Sequence, residues 1–292
     1  MIKKSLSCLL LTLLVLGSLF FYTKKEAIPS SKFAVSQTDR PWLTQFFKDV
    51  MLFETGIYTL FGSKPMTTII LPKYTQEEIE NIYQQMSEED KQSLYHVEDY
   101  DLPNLWKKWE LVQDKFPISN KYILKKSELY SNDKIDFIYF VDIVKTALII
   151  EDNYTYFKKI VGFDFHPLEA VLELKDEAHS PFWLALHKEN SSFISGILFG
   201  FGKTNALLFE WKHFTKKDCS YYDFCQTIPT YDFSPPPKKV VRYSIDAFNL
   251  PAFISFEEKD KVVEKYRKER DEIKKRFKNK DFLDVVIDAL CE

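Results

Sequence analysis

From Ser5 to Tyr22 the chain runs eighteen residues without a charge, dominated by leucine and phenylalanine, and no later stretch approaches it in apolar content. Lys3 and Lys4 precede this run, and Lys24 and Lys25 follow it. A basic start before such a segment marks a signal anchor or a cleaved signal peptide. At 1.5 Å per residue the run spans roughly 27 Å as a helix, close to the thickness of a bilayer core. Cleavage after Gly17, with Val15 two positions before it, would leave the apolar Ser18–Tyr22 at the mature N-terminus, which favours the anchor. Cys8 lies at the start of the run rather than just after it, which argues against lipoprotein processing. The expectation is a single-pass membrane protein with its domain on the non-cytoplasmic side, the membrane being contacted by residues 5–22. Secretion after cleavage is the alternative.

Everything after residue 22 has ordinary globular chemistry. Over the whole chain apolar residues make up 45% and charged ones 28%, enough of both to bury a core and solvate a surface. Only 7 glycines are present, so Gly-rich phosphate cradles have little raw material. A formal net charge of -3 gives no basic footprint for nucleic acid. Residues 23–40 are polar, carry Pro29 and a serine pair, and read as a linker; residues 41–292 read as one globular domain.

Helical spacing begins at Pro41, with Trp42, Leu43, Phe46, Phe47, Val50, Met51 and Phe53 on one wide face. Thr67–Leu71 reads as a strand, and Thr75 with Glu78 as a capping box opening a helix. Pro103 suits the first turn of the helix carrying Leu105, Trp106, Trp109 and Val112. The long apolar segment 133–150 fits a helix better than a strand by length. Helices are also predicted at 167–174, at 181–187 behind a Ser180 cap, and at 191–201. The loop 215–239, with Cys219, Cys225 and Pro235-Pro236-Pro237, is the expected internal boundary. Strands follow at 240–245 and 252–256, then a charged helix over 257–277 capped by Ser255 and Glu258. The fold class expected is α+β, predominantly helical with a small sheet, behind one N-terminal hydrophobic segment.

The candidate chemistry is sparse. Gly200-Phe201-Gly202-Lys203-Thr204 resembles the end of a nucleotide-binding loop, but the first glycine of that pattern is missing because position 197 is Ile. A helix C-terminus capped by Gly202 explains the same residues. His166, His179, His187 and His213 crowd one stretch with Asp164, Asp176, Cys219 and Cys225, which raises a metal site. Their separations match no compact ligand pair, so core or surface histidines are the default. Asp164 and His166 lack an evident third partner for hydrolysis, and no serine sits in a nucleophile elbow. Cys219 and Cys225 are expected to form a disulfide if the domain is exported, leaving Cys291 unpaired. No cofactor is expected. These features point to a membrane-tethered or exported protein of non-catalytic character, envelope-associated or binding an unidentified partner. An unrecognised hydrolase or metal-dependent enzyme built on residues 164–225 is one alternative, and a structural component of a membrane complex is the other.

Overall fold

The computed structural model describes residues 35–73, 75–87, 101–214, 228–229, 244–257 and 259–292. The Ser5–Tyr22 run, most of the polar linker, Cys219, Cys225 and the proline run lie outside the described residues. Among the described residues no helix is long and apolar enough to cross a membrane.

The first element, α1 (Arg40–Lys48), buries Leu43, Phe46 and Phe47 as the spacing requires, then widens into a π-helical turn over Asp49–Phe53. Thr55 follows at φ +60°, an uncommon conformation for a β-branched side chain. The wider turn carries Asp49 inward. Burial pushes its carboxyl up to about 6, although Gln45 Nε2 donates to Oδ1 at 2.8 Å. A short α2 (Ile57–Phe61) leads into β1 (Met66–Pro72). In α3 (Gln76–Gln85) both halves of the capping box are made, Glu78 N–H to Thr75 Oγ1 and Thr75 N–H to Glu78 Oε2. The tryptophans of α4 (Leu102–Val112) turn inward, and Trp109 stacks on Phe46 at 5.2 Å.

A three-stranded antiparallel sheet sits in the middle, in the order β1-β3-β2, with β2 at Tyr122–Lys126 and β3 at Ile135–Asp142. Segment 133–150 is therefore not one helix but β3 followed directly by α5 (Ile143–Asp152). Both faces of β3 are covered. Ile138 and Phe140 enter one core with Ile69, Leu71 and Leu124, while Tyr139 and Val141 enter a second with Met66 and Ile123. A strand buried on both sides loses the polar alternation that identifies it, so it reads like a buried helix. The switch point is Asp142, whose Oδ1 accepts from the Lys145 N–H and caps α5.

The second core is closed by α6 (Tyr154–Val161), α7 (Pro167–Leu172), a 3-10 stretch over Glu173–His179, α8 (Pro181–Glu189), α9 (Ser192–Leu198) and α10 (Lys203–Phe214). Ser180 caps α8 through the Trp183 N–H. The strand expected at 252–256 shrinks to β5 (Ile254–Ser255), paired with β4 (Ile228–Pro229). In the described part of 240–245, Ser244 makes an isolated bridge to Ala247. The last helices are α11 (Lys261–Arg276) and α12 (Phe282–Cys291), which close the first core. Asp260, not Ser255 with Glu258, caps α11 by accepting from the Val262 N–H at 2.6 Å. Ser255 instead lies in the strand and donates to Asp260 Oδ2 at 2.7 Å. Helices thus lie on both faces of the three-stranded sheet, an α+β arrangement.

Candidate functional site

A cavity of about 580 Å³ lies between α9, α10 and the segment Ala252–Ile254. Ser191 Oγ caps α9 through the Ile194 N–H, and the helix ends after Leu198. There Phe201 N–H bonds the Gly196 carbonyl and Gly200 N–H bonds that of Ile197, the reciprocal pair of a Schellman turn. The capping glycine is therefore Gly200, at φ +76°, rather than Gly202. After this tight reversal α10 returns along α9. A Cβ on Gly196 would stand 2.6 Å from that of Ala206, so the two backbones approach closely. Ser192, Ser195 and Gly196 share one helical face at i, i+3 and i+4 and leave space that larger side chains would fill. Phe199, Phe201, Phe209 and Phe253 surround it, with Phe201 stacked on Phe253 at 5.2 Å.

One polar group in this apolar wall has its orientation fixed. Asn205, 6% exposed, donates from Nδ2 to the Phe201 carbonyl at 3.0 Å and to Asp260 Oδ2 at 2.7 Å. Both partners are acceptors, so the amide nitrogen must face them and Oδ1 is left as a free acceptor among the described residues. Asp260 also takes the Ser255 hydroxyl and the first N–H groups of α11, and no ion pair among the described residues involves it. A second carboxylate, Glu210, accepts from Ser191 Oγ and the Phe193 N–H, both at 2.6 Å. The start of α9 therefore already holds a negative charge.

The histidines occupy separate settings. His166 is exposed just before α7, and His179 pairs with Asp176 at 2.7 Å on the surface. The hydrogen bond His179 makes to the Asp176 carboxylate raises it above the ordinary imidazole value. His187 packs edge-on against Tyr130 with centroids 4.6 Å apart. Asp164 is taken by Lys158 at 2.6 Å and by the Tyr154 hydroxyl at 2.8 Å, and these bonds hold its carboxyl below the usual range. The His213 side chain, Cys219 and Cys225 lie outside the described residues. Among the described residues no group of three or more His, Cys, Asp or Glu is placed to hold a metal ion. Lys203, from the glycine-rich stretch, lies over the Tyr156 ring at 4.4 Å. Cys291 is free, and burial pushes its thiol up to about 11, so it stays protonated near neutrality.

Sequence reasoning passed over a buried polar cluster. Lys64, 5% exposed, donates from Nζ to Thr67 Oγ1 at 2.9 Å, and Thr67 Oγ1 lies 2.8 Å from Thr59 Oγ1. Lys145 donates to the Thr59 carbonyl and pairs with Asp142, both at 2.7 Å. Burial pushes the Lys64 amine down to about 7. Nothing in Gly62-Ser63-Lys64-Pro65 distinguishes this lysine from one in an ordinary exposed turn.

The chain matches no protein-family model, no curated protein and no solved structure.

Proposed function

We propose that this chain is a membrane-tethered or exported binding protein without catalytic activity, and that its folded region holds an apolar small molecule between α9, α10 and Ala252–Ile254. The observation that carries this reading is the cavity. Its volume of about 580 Å³ falls within the size range of ligand pockets, and an apolar wall with a few fixed polar groups is their usual composition. The tether rests on the Ser5–Tyr22 run and its flanking lysines.

Two experiments test the two halves. Full-length chain should fractionate with membranes and a chain beginning at Thr23 should not; equal solubility of the two would sink the tether. For the cavity, full-length protein in lipid nanodiscs is irradiated with a diazirine-bearing dodecane, and the labelled peptides are mapped by mass spectrometry. Label is expected within 192–209 or 252–254, separate from any on the apolar N-terminal run. Ser195→Phe and Ala252→Trp, which fill the space from opposite walls, should each cut that label roughly tenfold, the equivalent of about 1.4 kcal/mol of binding. Unchanged labelling in both variants would remove the cavity as the site.

A further inference from the structure

The polar side of the cavity narrows the class of ligand, an inference that rests on the binding reading above. We infer that the cavity selects a single-chain amphiphile whose head donates a hydrogen bond and carries no negative charge. Asn205 is the recognition group. Its nitrogen is committed to the Phe201 carbonyl and to Asp260, so it presents Oδ1 and asks for a donor. A long-chain alcohol supplies one. An ether of the same length does not, and covering Oδ1 with it would leave that acceptor desolvated and unpaired.

Charge excludes the commonest amphiphile head, a carboxylate. Asp260 stands directly behind Asn205, and the carboxylate of Glu210, on α10, reaches the first turn of α9 next to the lining residue Ser192. A helix start is normally where an anionic head would be welcomed, because its N–H groups lack partners. Here the Phe193 N–H and the Ser191 hydroxyl are already given to Glu210, so these two donors are spent and an incoming anion meets a negative charge beside them. The lysine two residues before Asn205, Lys203, is turned onto the Tyr156 ring. The apolar body of the ligand lies against Phe199, Phe201 and Phe253.

The test uses full-length protein in nanodiscs, a diazirine-bearing dodecanol as probe, and three unlabelled competitors: dodecanol, 1-methoxydodecane and dodecanoate. At about pH 9 the carboxylate is ionised. Dodecanol is expected to suppress label in 192–209, whereas the ether and the carboxylate need roughly tenfold more or greater, as expected when a buried acceptor loses its donor. Glu210→Gln, which keeps an acceptor for Ser191 and Phe193, should improve dodecanoate several-fold and leave dodecanol unchanged. Competition by dodecanoate at least as strong as by dodecanol overturns the charge argument, as does a Glu210→Gln variant that leaves their gap intact. Equal competition by the ether overturns the role of Asn205. Either result leaves the cavity reading standing. Absence of label in 192–209 and 252–254 with either probe defeats both.

Discussion

Replacing Lys64 with Met should raise the free energy of unfolding at and below neutral pH by on the order of 3–5 kcal/mol and flatten the pH dependence of stability between about pH 7 and 10. The amine is almost completely removed from water and has Thr67 Oγ1 as its close acceptor. Desolvation lowers its pKa to about 7, with Glu54 acting in the opposite direction. An unfolded lysine keeps its proton until about pH 10.4. From pH 7 to 10 the unfolded chain therefore binds the extra proton, and stability rises with pH. Below pH 7 the folded state carries the whole desolvation cost. Methionine has similar length and no charge to bury, and Thr67 keeps its contact with Thr59.

Asp49 acts on the other side of neutrality. Its folded carboxyl holds a proton up to about pH 6, while the unfolded one loses it near pH 4, so stability falls as pH rises through that interval. Together the two groups place a trough of stability between pH 6 and 7, where many proteins are most stable. Buried tyrosines close the window at its alkaline end. Tyr58, Tyr139 and Tyr266 are pushed up by burial, so stability falls again once unfolded tyrosines ionise near pH 10. Urea unfolding at intervals from about pH 5 to 9 reads both limbs. Parallel profiles for the wild type and Lys64→Met would show that Lys64 is hydrated in solution and would defeat the prediction.

What the sequence made legible follows from how local each signal is. The Thr75–Glu78 capping box and the Ser180 cap need only residues three apart, and both are formed. The strand at Thr67–Leu71 was equally plain, because Thr67, Thr68, Ile69 and Ile70 are a run of β-branched residues. β3 was not, since its burial on both faces is decided by helices more than a hundred residues apart in sequence. The final helix shows the same limit on a smaller scale. Ser255 and Glu258 have the spacing of a cap, but Ser255 is held in β5 and its hydroxyl is spent on Asp260, which does the capping. Histidine crowding carried little information for another reason: His166, His179 and His187 fall on separate elements, and nearness in sequence does not bring their side chains together. The cavity could not be read at all, because Ala252–Ile254 returns to α9 and α10 from some forty residues further on.

Gly200→Ala should destabilise the fold by about 3–5 kcal/mol, far more than the nominally identical change at Gly162. Both glycines close helices in the left-handed region, at φ +76° and +84°. That conformation alone costs an alanine about 1 kcal/mol. At Gly162 a Cβ meets nothing within 4 Å. At Gly200 it would stand 2.5 Å from Tyr266 Oη and 2.8 Å from Pro65 Cδ. Neither neighbour is the loose end of a flexible chain. Proline is fixed by its own ring, and Tyr266 is fully buried, donates to the Gly200 carbonyl at 2.9 Å and packs edge-on against Tyr58. Relief requires the Schellman turn to lift away from α11, adding roughly 1–3 kcal/mol of overpacking and endangering the Tyr266 hydrogen bond, worth about 1 kcal/mol more. For a chain of this size the melting temperature should fall by about 8–15 °C, against 2–4 °C for Gly162→Ala. Similar losses in the two variants would mean that the Gly200 junction is loose. Gly200 lies between Phe199 and Phe201, both of which line the cavity, so lifting the turn should also reduce photolabelling of 192–209 in protein that is still folded. A destabilised Gly200→Ala with undiminished label would separate the cavity from the packing that holds the turn.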